Sequence, residues 1–337
     1  MAQLALGIMR SGKKLSVSVI NRSYRQKDLK LSRTFTLSAD PENQTETVNE
    51  VVAVLEQISR DEKLKKARVG FGIGFQDFLW NVVEMPPVSR DDIRQILQFE
   101  LDSHLPLATD DCIFDAQIIE STPGMNNRVV LIGVDKSVLE SCQETSARAD
   151  VGLDAITPAI GAIINTARSN RSATGNPEIE ILLCAEGDEF TVVVTRDGRF
   201  LTGRTVVMEN PWKPEASGNE DTEPSIDDLA TTIYKNIQLA LLACNRSGTL
   251  EDIERITCVG KFSDEVLQNL SRRQPAIAID SFHLDGFFDG STPFAEVAAT
   301  CIALQMFEEA EDTINLLPPG LRPVRRDAGK MLISAAA

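Results

Sequence analysis

Residues 85–119 read MPPVSRDDIRQILQFELDSHLPLATDDCIFDAQII, and they set the organisation of the chain around them. Ser89 followed by Asp92 is a helix N-terminus pattern, in which side-chain oxygens accept hydrogen bonds from free backbone N–H groups. Pro106 ends the helix. The residues that share its apolar face are Ile93, Ile96, Leu97 and Leu101. The stretch therefore predicts a helix followed by a strand at 112–119.

A small α+β unit follows from this stretch. A second strand is predicted at 128–134 and a helix at 136–149, so that the unit spans residues 85–150. Because its helices and strands are short and mixed, it reads as a subdomain placed between two larger parts of the chain.

The larger parts are residues 1–84 and 151–312. The first predicts a hairpin, a third strand, an amphipathic helix and a closing strand. That last strand contains VGFGIG, residues 69–74, where alternating glycines indicate close packing against another element rather than a phosphate loop. The second part starts with a helix at 156–169 and then alternates strands and helices. Residues 208–225 predict a mobile acidic loop within it.

Composition excludes several classes of function. The net charge is −16, from 34 basic and 50 acidic residues, which works against binding nucleic acid. The six cysteines are spaced singly, without a zinc or disulfide pattern, which favours a reducing compartment. No Walker A, His-Glu-x-x-His or Gly-x-Ser-x-Gly sequence is present. The sequence therefore predicts a cytoplasmic protein with no catalytic residue and no metal site.

Three stretches resemble the PilM family and its relative, the cytoplasmic part of GspL. They are residues 85–119, with an amphipathic helix ending in a Phe-Glu-Leu core, the hairpin DGRFLTGRTV at 197–206, and INLLPPGLRP at 314–323. These families are actin-like (FtsA-like) proteins of type IV pilus and type II secretion machines. The resemblance implies an α/β, actin-like (ribonuclease H-like) fold with two lobes and an inserted α+β subdomain. It covers nearly the whole chain.

The resemblance also locates a nucleotide site, which in this sequence is degenerate. Actin-like ATPases hold nucleotide with two Asp-x-Gly turns and a glycine turn near the adenosine. The corresponding positions here are taken as Ala5 and Gly7, Ala185 and Gly187, and Gly260. Because alanine replaces both aspartates, the sequence predicts no ATP hydrolysis and no cofactor. An active actin-like ATPase or kinase that binds ATP and magnesium through divergent motifs is the alternative.

The tail, residues 313–337, is predicted to be a docking peptide followed by a basic juxtamembrane-like segment. In pilus systems an Asn-Leu-Leu-Pro motif stands at the N-terminus of PilN and docks into a groove on PilM. The matching partner-binding residues here are Ile314, Asn315, Leu316, Leu317, Pro318 and Pro319. Adjacent leucines supply apolar anchors, and the prolines stiffen an extended backbone. A disordered natural tail is the alternative interpretation.

The resulting hypothesis is a non-catalytic scaffold at the bacterial inner membrane, peripheral to it or anchored there. It would couple a cytoplasmic secretion or pilus ATPase to PilN/PilO-like or GspM-like membrane proteins. Its partner surface is expected on the 85–150 unit, and its tail would dock on its own groove or on a second copy. An unrelated α/β binding module remains a third interpretation.

Overall fold

The computed structural model describes residues 3–24, 26–40, 43–169, 179–186, 189–207, 226–244, 253–308 and 313–323. The predicted acidic loop at 208–225 and the end of the tail, 324–337, lie outside these ranges. The strands are β1 (Gln3–Ser11), β2 (Lys14–Ser23), β3 (Gln26–Thr36), β4 (Arg68–Ile73), β5 (Leu79–Met85), β6 (Cys112–Glu120), β7 (Asn127–Asp135), β8 (Ala155–Pro158), β9 (Ile179–Glu186), β10 (Glu189–Arg196), β11 (Arg199–Val207), β12 (Ile253–Val259) and β13 (Ala278–Ser281). The α-helices are α1 (Gln44–Glu62), α2 (Arg90–His104), α3 (Lys136–Arg148), α4 (Ala159–Ser169), α5 (Ile226–Ala243), α6 (Asp264–Arg273) and α7 (Phe294–Gln305).

The first sheet has the strand order β3-β2-β1-β4-β8. Its first three strands are antiparallel, whereas β4 and β8 run parallel to β1. Helix α1 packs on one face of this sheet through the apolar stripe that the sequence predicts, made of Val48, Val51, Val52, Leu55 and Ile58. The predicted order of three strands, a helix and a strand is therefore confirmed.

The second sheet repeats this arrangement, with the order β11-β10-β9-β12-β13. Strands β9, β10 and β11 form an antiparallel meander, and β12 and β13 run parallel to β9. Helix α5 packs on this sheet and takes the place that α1 has in the first sheet. The chain thus contains two lobes whose five-stranded sheets share one topology.

Strand β8 differs from the sequence interpretation, which placed residues 156–169 in one helix of the second lobe. The structure instead puts Ala155–Pro158 in a parallel strand beside β4, as the last strand of the first sheet. Helix α4 begins only after Pro158. All four strand residues are buried, so no apolar-polar alternation marks them as a strand.

The inserted subdomain lies between β4 and β8. It is a three-stranded antiparallel sheet of order β5-β7-β6, together with α2 and α3. Because β5 pairs with β7, the insert begins at Leu79, earlier than the sequence division at residue 85. Helix α3 packs back on α1, which joins the insert to the first lobe.

Helix α2 follows its predicted pattern except at one aromatic residue. Ile93, Leu97 and Leu101 are buried in the core of the insert. Phe99, expected within a Phe-Glu-Leu core, is 87% exposed. Residue 99 is two positions from both Leu97 and Leu101, which turns its side chain to the opposite side of the helix.

Helix α7 lies between the lobes, and all of its residues except Glu296 are buried. It packs on β1, β2 and β4 of the first lobe and on α4. A Cβ at Gly7 would lie 1.9 Å from Ala299 O, and one at Gly70 would lie 2.7 Å from Ile302 Cγ2. The close packing predicted for the glycine-alternating strand is confirmed. No helix within the described ranges is long and apolar enough to cross a membrane.

Replacing Gly7 by alanine is expected to destabilise the protein by ~3 kcal/mol, the upper end of the usual cost of overpacking, because the helix backbone at Ala299 cannot yield as a side chain would. Gly161→Ala in α4 is the matched control, since no atom lies within 4 Å of its Cβ position. It should be neutral or stabilising by up to ~1 kcal/mol. Urea denaturation measures both, and equal stabilities for the two variants would contradict the packing described.

Candidate functional site

The C-terminal strap, residues 313–323, lies along β8. Leu316 donates its backbone N–H to Ile156 O at 2.8 Å. Thr157 Oγ1 donates to the carbonyl oxygen of Ile314 at 3.0 Å. Since β8 is the last strand of the first sheet, the strap extends the hydrogen bonding of that sheet on its outer side.

Asn315 fixes the register of the strap on β8. Its Oδ1 accepts from the backbone N–H groups of Ile156 at 3.2 Å and Leu317 at 3.0 Å. Its Nδ2 donates to Asp154 O at 3.1 Å. An aspartate could accept at this position but could not donate, so these three contacts require an amide side chain.

Asp115 in β6 connects the strap to the insert. This carboxylate is only 1% exposed, and its Oδ2 accepts from the Asn315 backbone N–H at 2.8 Å. Arg90 Nη2 binds Oδ2 at 2.9 Å, and Arg94 Nη2 binds Oδ1 at 2.6 Å. Arg90 also donates to Thr313 O at 2.7 Å. The two arginines lie four residues apart on α2, so one helix face supplies both counter-charges.

Apolar side chains anchor the strap from within. Leu316 and Leu317 are each 1% exposed and belong to the main hydrophobic core, as does Ile314. Arg322 folds back on the strap and donates to Leu317 O at 2.8 Å and to Asn315 O at 2.7 Å. Burial lowers the pKa of the Arg322 guanidinium, and the charge of Asp115 opposes that change.

The residues predicted to bind a partner thus divide into two groups. Ile314, Leu316 and Leu317 are buried and Asn315 is half-buried, whereas Pro319 is exposed and starts a short 3-10 turn, Pro319–Leu321. Pro318 is half-buried. Sequence reasoning missed the receiving residues, Arg90, Arg94 and Asp115, because no local pattern relates them to the distant strap. It also read Arg322 only as part of a basic run.

The positions taken for the first nucleotide turn lie inside a strand. Ala5 and Gly7 are in the middle of β1, where they pair with Ile20 and Ser18 of β2. Both face the packing of α7, and Ala5 is fully buried. The hairpin turn itself falls between Ser11 and Lys14. Ala5 and Gly7 therefore lie in a strand under α7 and not in a turn.

The other predicted positions come together at the second lobe. Ala185 is the penultimate residue of β9, and Gly260 follows β12 with a φ of 99°. A Cβ at Gly260 would lie 2.6 Å from Ala185 O and 3.2 Å from Phe294 Cβ, so only glycine fits there. Gly187 lies outside the described residues.

A polar cluster lies where the two hairpins face each other across the lobes. Glu186, at the end of β9, takes a side-chain hydrogen bond from Ser11 at the end of β1. Its Oε1 is buried and has no hydrogen-bond partner among the described residues. The pKa of Glu186 is raised to about 7, mainly by burial and also by the nearby charges of Glu189 and Asp77, while the hydrogen bond from Ser11 opposes this rise.

Comparisons with solved structures show which fold this is. The PilM–PilN type IV pilus biogenesis complex aligns with a TM-score of 0.67 and 11% identity, over 90% of this chain and 99% of that one. The cytoplasmic domain of EpsL, an inner membrane component of the type II secretion system of Vibrio cholerae, aligns with a TM-score of 0.50 and 13% identity. The alignment covers 95% of this chain and 100% of that one. A Bacteroides thetaiotaomicron protein with an actin-like ATPase fold aligns with a TM-score of 0.50 and 13% identity, over 88% of this chain and 95% of that one.

The chain therefore has an actin-like α/β fold, as the sequence predicts, and its structural neighbours include PilM and the EpsL cytoplasmic domain. No protein-family model matches it, and a comparison with curated proteins gave no match.

Actin-like ATPases bind a nucleotide between their lobes, which requires particular residues there. A magnesium nucleotide needs ionised carboxylates to organise the cation and backbone or basic groups for the phosphates. Here Glu186 is a buried carboxyl that holds its proton up to about pH 7, next to Asp77 and Glu189. Within the described residues, no group of three His, Cys, Asp or Glu side chains could hold a metal ion. Below about pH 7, Glu186 therefore supplies no negative charge for a magnesium ion at the end of β9.

Leu317→Ala is expected to destabilise the protein by ~2–5 kcal/mol, because it opens a cavity at a fully packed anchor. Leu321→Ala in the same strap is the control, since Leu321 is 48% exposed and its loss should change stability by less than ~0.5 kcal/mol. Denaturant titration of both variants decides the point. If Leu317→Ala were as stable as Leu321→Ala, the strap would not be docked.

Glu186→Gln is expected to remove a pH dependence of stability. The pKa of Glu186 is about 7 in the folded chain against 4.5 for the free group, so the carboxyl takes up a proton on folding at pH values between 4.5 and about 7. Wild-type stability should fall as pH rises from 4.5 to about 7, by at most ~3 kcal/mol. The stability of the variant relative to the wild type should therefore increase between pH 5 and pH 8. Glu56→Gln, on the exposed side of α1, is the control. A constant difference between variant and wild type would argue against this assignment.

Proposed function

We propose that this protein is a non-catalytic scaffold of an inner-membrane assembly platform for type IV pilus biogenesis or type II secretion. It lies on the cytoplasmic side of the membrane, peripheral to it or anchored there. It couples a cytoplasmic secretion ATPase to membrane components of the PilN/PilO or GspM kind. Nucleic acid is not among its partners, in keeping with the net charge of −16.

One observation carries the proposal: an Asn-Leu-Leu-Pro segment lies in a groove between the first lobe and the insert of an actin-like chain. The structural neighbour with a TM-score of 0.67 is a complex of PilM with PilN. A PilM-like platform with a PilN-like segment attached to it would have this architecture. The segment then acts as a built-in docking strap that holds the insert in a fixed position against the first lobe.

The groove supports this role through the chemistry of its contacts. The strap is bound by backbone hydrogen bonds to β8, by an amide that no other side chain replaces, and by a buried carboxylate with two arginines. Such a site discriminates strongly, because a segment without the amide would leave buried polar groups unpaired. Specific recognition of one peptide sequence is what an assembly platform requires.

The test is a truncation with complementation. The chain ending at residue 312 should lose stability and bind a synthetic peptide of residues 313–323 with 1:1 stoichiometry, measured by fluorescence anisotropy. The full chain should bind this peptide at least ~100-fold more weakly, because the tethered strap already fills the groove. A peptide in which alanine replaces Leu317 and Asn315 is the control and should not bind.

The result that would overturn the docking proposal is equal binding of both peptides, or unchanged melting of the truncated chain. In the organism that carries the gene, the same truncation should abolish pili or type II secretion. Normal assembly in that strain would remove the platform role while leaving the docking of the strap intact.

The competing hypothesis is an active actin-like ATPase or kinase. It predicts a magnesium-dependent stabilisation by ATP of ~2.7 kcal/mol at 100 times the dissociation constant, together with release of phosphate. The scaffold proposal predicts neither, because Glu186 is protonated up to about pH 7 and then offers no charge to a magnesium ion bound with ATP.

A further inference from the structure

A cavity of about 330 Å³ lies on the outer face of the first-lobe sheet, and Asp77 of the interlobe cluster lies at its edge. Helix α1 forms one wall and helix α3 of the insert forms the other. Successive residues of β1 show that the cavity lies on the face of the sheet opposite to α7. Ile8 and Arg10 line the cavity, whereas Gly7 contacts α7 on the opposite face.

The inner part of the cavity is apolar. Its floor is formed by Ile8, Leu15 and Phe71 from the sheet, and its walls by Val48 and Val51 of α1. These side chains are at most 7% exposed. Apolar pockets of this kind and of roughly 300 Å³ or more are the usual sites of small molecules in proteins, provided that a few polar groups orient the ligand.

Polar groups gather at the opening. Hydroxyl groups come from Thr47 on α1 and from Ser137 and Ser141 on α3, and Arg10 contributes an exposed guanidinium. Arg10 makes no ion pair or side-chain hydrogen bond with another described residue. Its positive charge reaches the Cys142 thiol, whose pKa burial raises to about 12 while Arg10 lowers it.

Charge decides which ligand fits. Arg10 is a basic residue of the cavity lining and attracts an anionic headgroup, whereas Asp77, which also lines the cavity, disfavours a second negative charge. The volume of about 330 Å³ is at the small end of the range for small-molecule sites in proteins, so a short ligand is expected. The geometry therefore selects a short amphiphile with a single negative headgroup.

We infer that this cavity binds a small amphiphilic monoanion, with its headgroup at Arg10 and its apolar part over Ile8, Leu15 and Phe71. The bound molecule contacts α1 of the first lobe and α3 of the insert at the same time. Its occupancy therefore changes how firmly the insert is held against the first lobe, independently of the strap.

Octanoate is the probe, with n-octanol as its uncharged match, and both are titrated into the full chain by calorimetry below the micellar range. We expect octanoate to bind at one site and octanol at least about tenfold more weakly, because a charge-assisted hydrogen bond is lost. Arg10→Gln should reduce octanoate binding to the level of octanol. Arg33→Gln, an exposed arginine on β3, is the control and should bind as wild type.

Substitutions that fill the cavity provide a second test of ligand binding. Val51→Phe should abolish binding of both probes, and Cys142→Met is a milder filling variant in case the first does not fold. Binding that survives in both, or no one-site binding of octanoate to the wild type, would show the cavity to be a packing gap. Equal affinity for octanol and octanoate would overturn the assignment of a negative headgroup.

Discussion

The carboxylate of Asp115 is the interaction on which the strap and the insert both depend. A charge that is 1% exposed costs several kcal/mol to desolvate, and removal of one partner from such a pair costs ~3–5 kcal/mol. Asp115 is tolerated because Arg90, Arg94 and the backbone N–H of Asn315 surround it. Helix α2 must present both arginines on one face, and the strap must bring its N–H to the carboxylate. The orientation of the insert and the path of the last described residues follow from that requirement.

Helix α7 plays the corresponding part between the lobes. It is buried along almost its whole length, and it approaches β1 so closely that only glycine is possible at residue 7. This packing fills the space beside the two hairpins and leaves their turns to face each other. The residues placed there, with Glu186 protonated up to about pH 7 and bonded to Ser11, join the two lobes directly. The chain thus combines an actin-like fold with a direct hydrogen bond between its two lobes.

The likeness to PilM and EpsL, at 11–13% identity, concerns the fold, and any function lies in particular residues of this chain. Those residues lie in separate places. The groove between β8 and the insert binds the amide of Asn315 and buries Leu316 and Leu317 of the strap. The outer cavity has an apolar floor and the guanidinium of Arg10 at its opening. Both sites contact the first lobe and the insert together. The junction between these two units is therefore where the proposed strap and ligand contacts both lie.

The sequence by itself determined the helices and strands with strong periodicity. The apolar stripes of α1 and α2, the Asp-Gly hairpin between β10 and β11, and the capped start of α2 follow from local chemistry. It also marked 314–317 as an apolar anchor. The tertiary structure alone decided that β8 joins the first sheet, that Phe99 points outward, that Ala5 and Gly7 lie under α7, and that Arg322 braces the strap. The reason is physical: periodicity reports which face of an element is apolar, whereas the partner of a buried strand or charge is set by contacts between residues as far apart as Asp115 and Asn315.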